Sequence, residues 1–591
     1  MIKARTIGFG VALLSLSGCI RIDAYVDTGT SIEQPPQVSF DAPWPDIPKK
    51  LDLYHLKAGP PPAPVAAIVR ERCKSICDSV IQSDDNSQNQ VIAEICKPRS
   101  GDYQPGVKPS ALMQSRPART DADTSVVDNY RCRISEDYSV DVFPRFSELQ
   151  RPPDQELPLE ERYVAARAFL ETAGDPGRGR STIGEGRVLT QRTLTGPTRQ
   201  TEPGSPSPLL FVSSQRVVGD YRVDGPGSRF SVAMDQNGVV EGLIHAWRKP
   251  GDKVELEPSR TKEQLQQEIR RQLLRFNNHQ SSRVLSIELV YYDGGGELLQ
   301  PAFRYMAELS GRGPMLGHIQ RVVGYIAYAN TAEPLPELSD GSALPVAAGL
   351  RPPTDPVHED VSFATYVTRN DKPAWTTNAT AFSNALTSGL FSAHVTHAGS
   401  HAAMPEHFST RAHDFVAMTD LVLVEAHGSN GRFATLGDSR GIVGIGLPET
   451  GFPAAGYGPR AGGKLRHWVL HSCDVLAESE KTPWPAVFQG GLHSVVGYSS
   501  SMYITDGAGP IFARQLAAAA PVAAAWFATV NSLNVYQLDK TARSYCAGEE
   551  PVGRPEALVA CGAENATLFD RNVQTTPNCI RVWSTRPALV H

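Results

Sequence analysis

No run in this chain reaches the roughly 18 apolar residues that a helical membrane span needs. Positive charge is not in excess either: 57 Lys and Arg stand against 63 Asp and Glu, a formal charge of −6, which argues against a nucleic-acid partner. Closely spaced cysteine pairs are almost missing. Cys73-x-x-x-Cys77 could begin a metal or redox site, but no second close pair completes one, so no metal or other cofactor is expected. What abounds is turn-forming residues, 46 Pro and 50 Gly in 591, implying many linkers; the length allows three or four domains.

The chain opens with Lys3, Arg5 and an apolar run from Ile7 to Leu16, followed by Ser17, Gly18 and Cys19. Cations, a short apolar core and small residues before a cysteine make a secretory signal (1–19) rather than a span. Leu16-Ser17-Gly18-Cys19 resembles a bacterial lipobox, which implies acylation of Cys19, its use as the mature N-terminus, and anchoring to a membrane. Ile20 in place of Asp after the cysteine implies, by the same resemblance, the outer membrane of the cell envelope. Residues 20–65 carry Pro35-Pro36, Pro43, Pro45, Pro48 and Pro60-Pro61-Pro62 and read as a tether.

Nine cysteines in an exported chain point to disulfides. Cys73, Cys77, Cys96 and Cys132 fall in a small segment, 66–150, and are expected to form two bridges of open connectivity. Cys546, Cys561 and Cys579 are expected to give one more. Cys473 stands apart and is expected to be free. The stretch from Val65 to Cys77 reads as a helix with both cysteines on one face.

Residues 155–335 read as an α+β unit. Glu160 to Thr172 is a helix. Phe211 to Trp247 alternates, with hairpin signals at Asp224-Gly225 and Asn237-Gly238. Thr261 to Phe276 is a second helix, with Leu265, Ile269, Leu273 and Phe276 on one face and Thr261-x-x-Gln264 as a capping box. Leu285 to Tyr291 alternates up to Asp293-Gly294-Gly295-Gly296, and a further strand carries Leu299, Phe303 and Tyr305. The Gly219…Gly225-x-Gly227-Ser228 run and the Tyr-x-x-Gly…Leu-x-Pro-x-x-x-Tyr run resemble the PepSY and protease-propeptide type of domain. That resemblance implies a restraint on whatever follows, released by a cut in the linker (336–358, within a Pro-rich stretch from Thr331 to His358); a plain scaffold is the alternative.

Residues 359–591 alternate strand and helix. Val361–Val367, Leu421–Glu425, His467–His471 and the stretch about Val495 are short apolar runs. Thr377 to Leu390 and Ile511 to Leu516 are helical, and Ala523 to Trp526 opens another helix. This order predicts an α/β domain with a mainly parallel sheet and helices on both faces. Reactive groups in such sheets lie beyond the carboxyl ends of the strands, where His427-Gly428 and Ser472-Cys473 end two of them. Strand then His-Gly, and strand then Ser-Cys, resembles the caspase, legumain and gingipain group of cysteine peptidases, over about 355–540. The resemblance implies Cys473 as nucleophile, His427 as base, and the N–H groups of Gly428 and Cys473 as oxyanion donors. It departs from the caspases in lacking Gln-Ala-Cys-Arg-Gly about the cysteine, so their acidic pocket does not transfer.

On residue chemistry alone, His471 and His493 remain further candidates for the base. Trp468, Trp484 and Trp526 read as core. His394, His397, His401, His407 and His413 crowd into twenty residues; His397 and His401 have a metal-friendly helical spacing, but Gly399 and Pro405 interrupt a helix and favour a solvated loop. The expected partner is a peptide or protein substrate. The alternative from another class is a surface lipoprotein that binds a metal or partner without catalysis.

Overall fold

The computed structural model describes residues 37–82, 90–97, 130–135, 137–144, 146, 157–174, 180–184, 186–195, 200–201, 205–274, 279–311, 319–330, 335, 361–367, 373–390, 395–402, 404–429, 431–435, 442–444, 452–477, 484–500, 502–504, 508–532, 553–576 and 578–587. The Cys19 motif, the 336–358 linker, His394 and Cys546 lie outside these residues. Among the described residues no helix is long and apolar enough to cross a membrane.

The cystine segment is three short helices, α1 (Ala63–Arg72), α2 (Lys74–Gln82) and α3 (Gln90–Cys96). The expected single helix through both cysteines breaks at Cys73, which leaves the helical conformation and separates α1 from α2. Disulfides join Cys73 to Cys132 and Cys77 to Cys96, and a third joins Cys561 to Cys579; Cys473 is free. Val65, Val69 and Ile95 of these helices are buried with Ala166, Phe169 and Leu170 of α4 (Leu159–Ala173). The segment is therefore part of the wall of the next unit, and its bridges fix that wall.

In the middle unit, β1 (Arg187–Thr195), β2 (Ser205–Val218), β3 (Tyr221–Asp224), β4 (Arg229–Met234) and β5 (Val240–His245) form an antiparallel sheet. After α5 (Lys262–Leu274) come β6 (His279–Asp293), β7 (Leu298–Gly311) and β8 (Ile319–Ala327), an antiparallel meander. The capping box is formed: Thr261 N–H donates to Gln264 Oε1 (2.8 Å), and Gln264 N–H to Thr261 Oγ1 (3.3 Å). The two glycine motifs meet. A Cβ on Gly225 (φ +98°) would strike the Asp293 carbonyl, and one on Gly227 the Asp293 carboxylate. That carboxylate is fully buried between Arg248 (2.9 Å) and Arg216 (3.5 Å). Burying charge demands partners, and the glycines let the turn close over them.

The C-terminal unit is α/β with a mixed sheet. β9 (Val361–Val367), β10 (Val395–Ala402), β11 (Leu421–Glu425), β12 (His467–His471) and β13 (Ser494–Tyr498) run parallel, in the order β10-β9-β11-β12-β13. The expected mainly parallel sheet then turns antiparallel through β15 (Pro555–Ala560) and β16 (Cys579–Pro587), while the two-residue β14 (Tyr503–Ile504) leaves it. Asp420 pins the amino ends: its carboxylate accepts from Ser362 N–H (3.0 Å) and Oγ–H (2.6 Å) and pairs with Arg466.

Among the described residues the α-helices lie on one face, where both were expected. α6 (Pro373–Leu390), α7 (Ala508–Ala517) and α8 (Val522–Ser532) share the side to which Glu425 and His471 point. The other face, that of Trp468, is covered by short 3-10 turns over 405–418 and by loop aromatics, with Phe408, Phe433, Phe452 and Tyr457 packed round the indole. Pro405, Pro453, Pro459 and many glycines deny those connections a helix. Trp468, Trp484 and Trp526 are all buried core.

The two units share one sheet. β16 pairs with β1 along nine residues, from Cys579↔Thr195 to Pro587↔Arg187. Helix α8 lies across the seam, where Asn531 O accepts from Ser213 Oγ (3.0 Å) and Phe527 contacts Phe146. One apolar cluster runs from Leu189 and Leu209 through to Leu558 and Trp583.

Candidate active site

Parallel pairing sets the site. β11 and β12 are in register from Leu421↔His467 to Glu425↔His471, and Ala426 N–H still reaches His471 O (3.4 Å). His427 and Cys473 each stand two positions past the last pair, at the carboxyl edge. The two strand exits interlock: Gly431 N–H donates to Asp474 O (3.0 Å) and Ala434 N–H to His427 O (2.8 Å). A Cβ on Gly428 would overlap both Cys473 O and Ser472 Oγ, so only glycine lets these backbones lie so close. Asp474, at φ +51°, makes the sharp turn that takes the chain out of the strand.

His427 is half-buried with its ring edge-on to Trp375 of α6, centroids 4.6 Å apart. Cys473 is half-buried. Enclosure pushes its thiol up to about 11; the Met502 amide opposes that rise, and the Asp474 carboxylate adds to it. Met502 N–H donates to Sγ at 3.4 Å, and Sγ lies 3.9 Å from Met502 O. The thiol is therefore protonated at neutral pH and needs a base, or a change of surroundings, before it can act as a nucleophile. Beside it the Ser472 hydroxyl is buried and has no hydrogen-bond partner among the described residues.

Of the alternative bases, His471 is buried at 2% exposure under the helices, and its Nδ1 is bonded to Glu425 Oε2 (2.7 Å). Asn378 of α6 donates to Glu425 Oε1 (2.5 Å), and Asn378 Oδ1 accepts from Gly509 N–H of α7 (2.9 Å). His471 thus anchors strand to helices from beneath the edge. His493 must be corrected. It precedes β13 at the amino end of the sheet, its ring 5.3 Å from that of His467, and desolvation lowers it to about 4. His467 and His471 are themselves about 13 Å apart along the strand, so His493 is out of reach of Cys473.

Glu425, Asn378 and Met502 carried no expected role. Glu425 did leave a signal, an acid closing the apolar run Leu-Val-Leu-Val; Asn378 and Met502 left none, since they arrive from elsewhere in the fold. His397 and His401 fall in strand β10, not a helix, where positions four apart are about 13 Å distant. His407 stacks on Phe415 (3.8 Å). Among the described residues no group of three or more His, Cys, Asp or Glu could hold a metal ion.

Residues 359–548, the stretch that holds this edge, match a family described as a domain of unknown function, DUF6345. No curated protein matches the chain. A solved structure of an uncharacterised protein from Eubacterium rectale ATCC 33656 is similar at 10% identity and a TM-score of 0.22, covering 35% of this chain and 76% of that one. A likeness so slight carries neither a fold nor an activity across.

Proposed function

We propose that the C-terminal unit is a caspase- or gingipain-like cysteine peptidase, carried on an exported lipoprotein anchored through Cys19 and probing peptide or protein substrates at the outer membrane. One observation carries the catalytic reading: His427-Gly428 and Ser472-Cys473 leave adjacent parallel strands at equal register, with Gly428 against the Cys473 backbone. His427 takes the Cys473 proton, and the sulfur attacks the scissile carbonyl carbon. The N–H groups of Gly428 and Cys473 hold the oxyanion as the C–N bond breaks and His427 returns the proton to the leaving amine. Water, deprotonated by His427, then attacks the thioester, releasing the acid and restoring the thiol. The middle unit, PepSY-like in its motifs, restrains this edge.

The test is labelling of Cys473 by a thiol-reactive peptide probe, together with hydrolysis of a peptide library. Cys473→Ala abolishes turnover, and His427→Ala lowers it about as much, because the two act as one unit. Full activity of Cys473→Ala refutes the mechanism. The second reading, a binding domain without turnover, is favoured by the thiol held near 11. It predicts labelling only by small reagents at alkaline pH and no hydrolysis under any condition. The anchor has its own test: Cys19→Ser leaves the chain unprocessed or soluble, and normal maturation with full membrane partition rejects it.

A further inference from the structure

One short segment joins the thiol to the middle unit. Ser499 and Ser500 leave β13, and Met502 lies at the carboxyl edge. The near end is tied to the C-terminal unit: Ser499 N–H donates to Arg554 O (3.0 Å), Asp474 N–H to Ser500 O (2.9 Å), and Arg554 N–H to Ser500 Oγ (2.8 Å). Met502 follows, 4% exposed, with its backbone against Cys473 Sγ. The far end belongs to the other unit. β14 does not return to the parallel sheet but pairs with β8, Arg321↔Tyr503 and Val322↔Ile504. Then α7 begins, tied down again by Gly509 to Asn378.

We propose that Ser499, Ser500 and Met502 to Ile504 act as a strap, held over the Cys473 thiol by the pairing of β14 with β8, so that the middle unit sets access to the thiol. The proposal rests on the reading of Cys473 as the reactive group. Its physical basis is an imbalance of contacts. The near end at Ser499 and Ser500 is fixed by several hydrogen bonds, whereas the pairing with β8 extends over two residues. A two-residue strand at a sheet edge lies at the low-stability end of a fold and opens locally at small cost. Opening withdraws Met502 and admits water to the sulfur, which removes the desolvation that keeps it protonated. The restraint needs no cut in the chain, and its release needs only loss of this pairing.

The experiment measures carbamidomethylation of Cys473 by iodoacetamide in the full chain, with the rate read from the Cys473 peptide. Ile504→Pro puts a residue without an amide hydrogen into the two-residue β14 pairing and should raise the rate about tenfold or more, and move its pH profile downward. The opposite perturbation locks the strap. Val322→Cys combined with Ile504→Cys places two cysteines at a registered pair, where neighbouring strands lie about 4.8 Å apart and a disulfide fits. The oxidised lock should label more slowly than the parent. If the lock labels at the parent rate, the strap is refuted, even if Ile504→Pro does not fold; so too if a folded Ile504→Pro labels at the parent rate. Hydrolysis is scored separately. Fast labelling of Ile504→Pro with no peptide cleavage leaves the strap standing and removes the peptidase reading, whereas cleavage with unchanged labelling does the reverse.

Discussion

His471→Ala separates two roles for one histidine. Its Nδ1 lies 2.7 Å from Glu425 Oε2, and the two side chains are 2% and 0% exposed. Removing the imidazole takes one hydrogen-bond partner from the buried Glu425 carboxylate, which still accepts from the Asn378 amide. Breaking a buried pair on one side costs about 3–5 kcal/mol, because a desolvated charge is left behind. The vacated ring also opens space beside Tyr498 and Trp526, whose ring centroids are 5.7 and 6.4 Å away, which adds a cavity cost. At about 2–4 °C per kcal/mol for a unit of 150–250 residues, the pair loss alone lowers Tm by about 6–20 °C, and by less where the shared sheet enlarges the cooperative unit. Calorimetry measures it, alongside turnover of His471→Ala and of His427→Ala. The sign of a double variant is the sharper check. Adding Glu425→Leu to His471→Ala removes the buried carboxylate and should recover part of the loss. A His471→Ala protein with parental Tm and no turnover would refute this reasoning and make His471 the base; a double variant less stable than His471→Ala would refute the buried-charge account.

Three further outcomes follow from the same geometry. Gly428→Ala forces a methyl into Cys473 O and Ser472 Oγ and should cost about 1–3 kcal/mol by overpacking, with about 100-fold or more lost from kcat if Gly428 is an oxyanion donor; parental Tm and kcat together reject the close approach. His493, lowered to about 4, stays neutral in the folded chain while the unfolded chain takes up a proton below about 6.5. Stability therefore falls as pH drops from about 6.5 to 4, by up to about 3 kcal/mol from this residue, and His493→Gln should flatten that slope in denaturant titrations; an unchanged slope counts against it. A chain starting near Asp355 loses β1, the nine-residue partner of β16, and exposes that edge. It should aggregate or fail to fold rather than gain activity, and a soluble, monomeric, more active fragment by light scattering would show that the shared sheet is dispensable.

Much of the local structure was legible because it depends on near neighbours. The Thr261–Gln264 box, the α4 and α5 helices and the hairpin turns are set by spacing and turn chemistry within a few residues. The apolar runs ending in His427-Gly428 and Ser472-Cys473 announced two buried strands, and Cys473, isolated among nine cysteines, was expected to be unpaired. Connectivity of the N-terminal disulfides was not legible, since any of three pairings satisfies the same spacing. Tertiary structure alone decided the rest. Periodicity states that a strand is buried but not which strand lies beside it. Pairing of β16 with β1 and of β14 with β8 therefore joined units that the Pro-rich linker had seemed to part. Alternation along β12 left the surroundings of His471 open until Glu425, 46 residues away in sequence, arrived beside it at 2.7 Å. His493 was a plausible base by residue type, but strand direction carried it to the far end of the sheet. Met502 carries no motif at all: it stands 29 residues from Cys473 in sequence and meets it only in the folded chain.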